Sequence, residues 1–290
     1  MSSPTLDYER RDTLGIRIEF IRQVKRRRTL VAFLLVIALP LIVVAAVKFG
    51  PSSEGGSGDG GGGFGDGDFD LVGLATSGAW NFSLTMLLFS SGFLLIIIAA
   101  MFLGDTVASE ANWSTLRYLL VAPVPRRRLL RTKAVVGLIL TAIVLLTLVL
   151  ASWAIGAIAF GTGPLASPFG GALSQGESVQ RLSIITTYIA ITLLFPAGFA
   201  FLMSVLTDVP LGAVGTAVIV VIIFNILDAI DALGDIRRLL PTDYGAAWVD
   251  ALNPVIAWDK MAIGAAYNLV AFALLMALAV LRFDRKDITS

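Results

Sequence analysis

The sequence predicts an all-α, polytopic membrane protein with six transmembrane helices, for two reasons. Hydrophobic residues make up 57% of its 290 residues and charged residues only 15%, and the mean hydropathy is +0.85. Soluble globular chains are typically about half apolar and a quarter charged. In addition, six apolar segments reach the length of about 20 residues with which a helix crosses a bilayer. The predicted transmembrane helices are residues 29–47, 81–103, 134–160, 181–206, 211–233 and 261–281.

The N-terminal segment, residues 1–28, is polar and basic. With helical spacing, Leu14, Ile18 and Ile21 fall on one face, and a basic run at residues 25–28 leads into the first span. An amphipathic, basic helix next to a span is typical of a segment that lies in the headgroup layer. We therefore expect a cytoplasmic amphipathic helix that connects to the first span, with a solvated basic tail as the alternative.

Residues 50–70 form a glycine-rich, low-complexity loop, which predicts a flexible extracellular segment. Asp66, Asp68 and Asp70 alternate as they do at the start of a calcium-binding EF-hand loop. Leu71, however, occupies the position at which that loop needs glycine. A flexible spacer is the preferred interpretation, and weak calcium association is the alternative.

Two groups of residues within the spans are candidates for a substrate path. Phe89 and Phe93 lie one helical turn apart on the second span, where they either line an apolar cavity or pack between helices. Asn225, Asp228 and Asp231 are three residues apart and share one face near the end of the fifth span. Facing a cavity, that stripe would favour cationic or amphipathic cargo. The alternative is that the helix emerges into water there.

The connector between the second and third spans, residues 105–133, carries six Lys and Arg residues and therefore lies outside the hydrocarbon. Its residues 108–121 have helical spacing with one apolar face. Pro123 and Pro125 end that helix, and a basic cluster follows them. The pattern indicates a docking surface at the membrane face.

The same connector shows a recognisable order of residues. It contains Ser109 and Glu110, Ser114 and Thr115, Leu116, Leu119 and Leu120, the run Pro-Val-Pro-Arg ending at Arg126, and Lys133. In this order the chain resembles the ABC-2-type permeases, the membrane subunits of ATP-binding-cassette exporters. The family's usual glycine is replaced by Ser114, which follows Trp113. The order of spans and the character of both termini extend the resemblance over essentially the whole chain. The alternative is an ordinary basic loop of another six-span protein.

The resemblance implies a complex of two permeases with two separate ATPase subunits. ATP and Mg²⁺ would bind to the ATPase partner, and this chain would bind no cofactor of its own. The second permease would be either another copy of this chain or a different chain. The connector helix would fit a groove on the ATPase and act as a coupling helix. The residues expected to couple to the ATPase are Glu110, Trp113, Thr115, Leu116, Arg117, Leu120 and Arg126.

Residues 234–260 form a longer, mixed loop before the last span. Its aromatic residues and prolines include Pro241, Tyr244, Trp248 and Trp258. Aromatic residues at this density suit short helices that dip back into the outer interface, and the loop is similar to the family's re-entrant segment. A plain surface loop with interfacial anchors is the alternative.

The distribution of charge predicts the orientation. Of the 22 Lys and Arg residues, 17 lie in the N-terminal segment, the connector and the C-terminal tail. The positive-inside rule places these segments, and so both termini, in the cytoplasm. We expect a multi-pass protein of the bacterial cell membrane, in contact with its lipids.

The residue types that are missing limit the possible activities. The chain has no Cys and no His, which excludes thiolate nucleophiles, Ser-His-Asp triads and the common zinc sites. It also has no P-loop motif, so ATP would have to be hydrolysed by another polypeptide. We expect a transport subunit, neither an enzyme itself nor a nucleic-acid-binding protein, that exports hydrophobic or amphipathic substrates. The alternatives are a sodium- or ion-extruding ABC permease and a non-transport immunity or sensing protein.

Overall fold

The computed structural model describes residues 15–49, 71–112, 126–166 and 171–285, and it is 85% helical. A π-helical segment, Ser90–Leu94, joins α4 to α5, and two 3₁₀ segments, Asp231–Leu239 and Ala247–Leu252, precede α10. A two-residue antiparallel pair, β1 (Leu165–Ala166) and β2 (Ala172–Leu173), lies between α6 and α7. The α-helices are α1 (Ile16–Val24), α2 (Arg27–Phe49), α3 (Leu71–Thr76), α4 (Ala79–Phe89), α5 (Leu95–Asn112), α6 (Arg126–Phe160), α7 (Gln175–Thr192), α8 (Leu194–Leu206), α9 (Pro210–Asp228) and α10 (Asp259–Asp284).

Six helical stretches within the described ranges are long and apolar enough to cross a membrane, which indicates a multi-pass membrane protein. The prediction of six such segments is confirmed. Two of the stretches combine neighbouring helices, because α4 continues through the π-helical segment into α5 and α7 continues into α8. The stretches are Arg27–Phe49, Ala79–Glu110, Arg127–Phe160, Gln175–Leu206, Pro210–Asp228 and Asp259–Asp284.

The fifth of these stretches is α9, and it is shorter than the fifth predicted span, which extended to residue 233. It ends at Asp228, and the backbone turns to an extended conformation at Ile230. The Arg237 side chain donates a hydrogen bond of 3.1 Å to the backbone carbonyl of Asp228, one of the carbonyls left unpaired at a helix end. Asp231 therefore lies outside the helix and does not extend the Asn225–Asp228 face.

The centre of the bundle is formed by α4 with α5, by α6 and by α7 with α8, and about half of each of these stretches is buried. In the outer helices α2, α9 and α10, only 17% of the apolar 18-residue segment is buried. Small residues allow the central helices to approach closely, as is usual between membrane helices. At Gly137, for example, an added Cβ would lie 2.9 Å from the side chain of Leu103.

One end of the bundle is covered by residues 231–257, which we call the cap. Arg181 of α7 anchors it, because its guanidinium donates hydrogen bonds to the backbone carbonyls of Ala251 at 2.6 Å, Asn253 at 3.0 Å and Pro254 at 3.0 Å. The guanidinium is almost completely buried, and these three acceptors satisfy much of its hydrogen-bonding capacity. The cap is thereby fixed to the start of α7.

Aromatic residues make a second connection between the cap and the helices. The Tyr188 hydroxyl donates a hydrogen bond of 2.7 Å to the carbonyl of Tyr244 in the cap, and Tyr267 of α10 donates to the carbonyl of Leu239. Gly264 of α10 lies beneath the contact between Tyr188 and Tyr244, where an added Cβ would be 2.5 Å from the Cβ of Tyr244. Only glycine fits there without displacing the cap.

Candidate functional site

The end opposite the cap contains a buried group of charged side chains, Glu19, Arg22, Glu110 and Lys133, which we call the ionic cluster. Glu19 and Arg22 come from α1, Glu110 from the last turns of α5, and Lys133 from the first turns of α6. These residues are far apart in sequence but meet where the three helices pack together. The cluster therefore joins the N-terminal helix to both ends of the connector.

Lys133 is at the centre of the ionic cluster and is completely buried. Its Nζ lies 2.6 Å from Glu110 Oε1 and 3.6 Å from Glu19 Oε1, and it donates a hydrogen bond of 3.2 Å to the backbone carbonyl of Thr106. A fully buried lysine is rare unless it is paired in this way. Because desolvation of each ion is costly, the arrangement is stable only while both carboxylates and the carbonyl remain in place.

Arg22 completes the cluster from its more exposed side. It donates to Glu110 and, at 3.0 Å, to Glu19, while the Gln23 amide donates to Glu19 at 2.9 Å. Two carboxylates and two cations balance, so the cluster as a whole is neutral. A neutral group of this kind avoids the cost of an uncompensated buried charge.

The local charges keep the α1 members of the cluster ionised. Burial alone would raise the pKa of Glu19, but Lys133, Gln23 and Arg22 favour the carboxylate and hold its pKa below the usual range. Burial would likewise lower the pKa of Arg22, but the hydrogen bond to Glu110 and the charge of Glu19 raise that pKa above its ordinary value. Both side chains therefore carry their charges at neutral pH.

A second set of ion pairs lies beside the cluster, at Asp105 of α5. Arg26 Nη1 lies 3.0 Å from Asp105 Oδ2, and Arg28 contacts the same carboxylate. Arg28 also donates a hydrogen bond of 2.6 Å to the Gln23 side chain. Burial lowers the pKa of Arg26, aided by the nearby charge of Arg22. Through these contacts the turn between α1 and α2 is held against the last two turns of α5.

The last turns of α5 are also attached to α8. The Ser204 hydroxyl accepts hydrogen bonds from the backbone N–H groups of Val107 at 3.0 Å and Ala108 at 2.9 Å. Ser204 is completely buried, so no solvent competes for these bonds. The segment immediately before Glu110 is thus held by α8 on one side and by Lys133 on the other.

Of the residues expected to couple to an ATPase, the structure places Glu110 in the ionic cluster and Arg126 at the start of α6. The remaining five lie outside the described residues, and their roles stay predictions. They are Trp113, Thr115, Leu116, Arg117 and Leu120.

The residues predicted for a substrate path come from two parts of the bundle, the stretch that joins α4 to α5 and the helix α9. Phe89 and Phe93 are about half exposed, at 48% and 55%; Phe89 precedes the π-helical segment and Phe93 lies within it. Asn225 is exposed, and its amide donates to the carbonyl of Val221 in its own helix at 3.0 Å. Asp228 is half-buried at the end of α9. Their role in transport stays a prediction.

The sequence interpretation missed Glu19 and assigned Lys133 only to the start of the third span. The apolar spacing of Leu14, Ile18 and Ile21 directed attention to the other face of α1. In the structure Ile18 and Ile21 are exposed, and the face that packs on the protein carries Glu19 and Gln23. Their i, i+4 spacing, opposite the apolar residues, was the available signal.

Comparison with known proteins places the chain in a family. A family model described as "Protein of unknown function (DUF2705)" matches residues 68–289. The chain belongs to the DUF2705 family. This DUF2705 chain is also similar to "Uncharacterized protein YhcI" of Bacillus subtilis (strain 168), with 32% identity over 120 residues. The match covers 39% of this chain and only 37% of that relative's length.

Proposed function

We propose that this DUF2705 chain is the permease subunit of an ABC exporter of the bacterial cell membrane. A separate ATPase would hydrolyse ATP, and this chain would pair with a second permease to move hydrophobic or amphipathic molecules outward. In this proposal the ionic cluster lies on the cytoplasmic side, where the connector meets the ATPase, and the cap lies outside.

The observation that carries the proposal is the position of Glu110 between Arg22 and Lys133. One carboxylate links α1, the end of α5 and the start of α6, so displacement of the connector would move all three helices together. ATP-driven closure of the ATPase subunits would shift the permease between two arrangements through this unit. The attachment of α5 to Ser204 supports transmission onward to α8.

The exposed positions of Phe89, Phe93 and Asn225 support a path that lies between two permeases rather than within one chain. Each of these side chains has an exposed surface that a second subunit would cover. Aromatic residues there would suit apolar or amphipathic cargo.

The proposal is tested by expressing the tagged chain with its genomic neighbours and purifying it from membranes. We expect an ATPase to co-purify, and deletion of residues 113–120 to abolish that association. Glu110→Gln, which removes the charge but keeps the shape, should leave the ATPase bound but reduce its stimulation by the permease. Asp235→Asn, in an ion pair whose side chains are 87% and 73% exposed in the cap, is the matched control and should have no effect. Purification of the wild-type chain without any ATPase would overturn the proposal.

The class of cargo is tested in the same complex. An exporter of hydrophobic or amphipathic molecules should show ATPase activity that rises with lipophilic compounds and not with sodium. The opposite response would replace this cargo class with ions while leaving the permease assignment intact.

A further inference from the structure

A cleft of about 330 Å³ lies between α7 and the start of α10, at the capped end of the bundle. Its apolar lining comes from Ile184 and Ile191 on α7 and from Met261, Ala262 and Ala265 on α10. Both walls belong to helices that are long and apolar enough to cross a membrane. The medium beside such a cleft is therefore lipid, and its occupant must be compatible with hydrocarbon.

Three hydroxyl groups also line the cleft, but each is already committed within the protein. Ser183 donates to the carbonyl of Gln180 at 2.7 Å, Thr187 to that of Ser183 at 2.8 Å, and Tyr188 to that of Tyr244 at 2.7 Å. The cleft thus has no hydroxyl donor left for a polar ligand. Its chemistry selects a hydrocarbon chain and disfavours a headgroup, which would lose its own hydrogen bonds with water on entering.

The back of the cleft is rigid. Tyr188 is 3% exposed, and its hydroxyl is tied to the cap at Tyr244. Gly264 lies directly against the Tyr188 hydroxyl, so the ring has no room to rotate toward α10. A preformed cleft avoids the ordering cost that a flexible site must meet on binding.

The depth of the cleft suits a lipid chain that descends from the headgroup layer. Trp258 at its mouth immediately precedes α10 and is 53% exposed, as is typical of an aromatic residue at the membrane interface. From Ser183 to Ile191 the lining residues of α7 extend over roughly 12 Å at about 1.5 Å per residue. The cleft therefore runs from the interface into the hydrocarbon layer.

We propose that this cleft is a specific binding site for one acyl chain of a bilayer phospholipid, taken from the leaflet at the capped end. The chain lies along α7 against Ile184 and Ile191, and the headgroup stays in the interface beside Trp258. Binding here requires only that α7 and α10 lie in a membrane, so it is independent of transport and of any ATPase.

The test uses the full-length protein in phosphatidylglycerol–phosphatidylcholine vesicles that contain a trace of phospholipid with a photoreactive diazirine in one acyl chain. After illumination, mass spectrometry of peptides locates the label. We expect the segments 183–191 and 261–265 to be labelled several-fold more than Leu274 and Leu278, which are exposed on the same α10 helix. Ala265→Phe, which fills the cleft, should remove this excess, whereas Ala273→Phe, at an exposed position of α10, should not.

Equal labelling along α10 in the wild-type protein would mean that ordinary surrounding lipid covers the cleft, and it would overturn the proposal. The same conclusion follows if a correctly folded Ala265→Phe variant keeps the excess label. Should Ala265→Phe fail to fold, Ile191→Trp fills the cleft from the α7 side and serves in its place.

Discussion

The ionic cluster and the cap fix short segments to opposite ends of the same helix bundle, but they use different partners. In the ionic cluster, Lys133 and Arg22 bind carboxylate side chains. In the cap, Arg181 and Tyr188 bind backbone carbonyls. Carboxylates on separate helices can rotate and exchange cations, whereas backbone carbonyls keep the positions that the fold gives them.

This difference indicates where the bundle can change shape. An ionic cluster with several donors and acceptors on separate helices can exchange partners, and an element that switches between two arrangements requires such exchange. The cap has one geometry, because the three carbonyls bound by Arg181 follow one another along a single loop. We therefore expect motion at the end that carries Glu110 and rigidity at the end that carries the cap.

The strongest test of this contrast is Lys133→Met. The methionine side chain is similar in length but leaves Glu19 and Glu110 buried with Arg22 as the remaining cation of the ionic cluster. Removal of one partner from a buried ion pair costs about 3–5 kcal/mol, so thermal unfolding of the purified protein should shift markedly to lower temperature. Addition of Glu110→Gln should restore part of the loss, because it removes the excess negative charge.

The control for this prediction is Lys260→Met, at an exposed lysine of α10. Its effect should stay within about 0.5 kcal/mol. Equal unfolding temperatures for Lys133→Met and Lys260→Met would show that the ionic cluster contributes nothing to stability, and the contrast between the two ends would disappear.

The second prediction concerns the cap. Arg181→Met leaves three backbone carbonyls without their donor, which should cost about 2–3 kcal/mol. Because the loss is confined to one loop, hydrogen exchange should increase in residues 247–254 and stay unchanged in α1. Arg238→Met, whose side chain is 73% exposed, is the control and should leave both regions unchanged. Faster exchange in α1 on loss of Arg181 would show that the two ends are not independent.

The contrast also explains which features were predictable from sequence. Hydropathy predicts all six long helices, since an apolar run of bilayer length has few other stable states. It places the end of α9 too late, because that end depends on Arg237 folding back onto Asp228. Local composition carries no information on such a contact between a loop and a helix end.

For a related reason the sequence predicted no ionic cluster, although it singled out Glu110 as a coupling residue. Glu110 stands out because it is a charged residue that follows an apolar run, near the start of the charged connector. The other buried members of the cluster, Glu19 and Lys133, are 91 and 23 residues away in the numbering, and each resembles an ordinary acidic or basic residue beside a span. Only the packing of α1 on α6 distinguishes a buried charge from a solvated one.

A smaller effect is expected from Gly264→Ala, which tests the rigidity of the cap. The added methyl would lie 2.5 Å from Tyr244 Cβ, so the cap must shift and stability should fall by about 1–2 kcal/mol. Gly215→Ala in α9 is the matched control, since no atom lies within 4 Å of its added Cβ. It should be neutral or slightly stabilising, because alanine favours helix. An equal effect of both variants in thermal unfolding would argue against a rigid cap.

The smallest expected effect is a dependence of α1 on pH that the cap does not share. Glu19 faces Arg22, Gln23 and Lys133, and these neighbours hold its pKa below the ordinary value of 4.5. A depressed folded-state pKa contributes stability above the unfolded-state pKa, and that contribution is lost as the pH falls through the folded-state value. Hydrogen exchange in α1, corrected for its intrinsic pH dependence, should therefore accelerate only below about pH 4.5.

Glu19→Gln should remove this dependence, whereas Glu177→Gln, at the exposed start of α7, should keep it. An acceleration in residues 247–254 at the same pH would contradict the assignment of the acid-sensitive contact to Glu19.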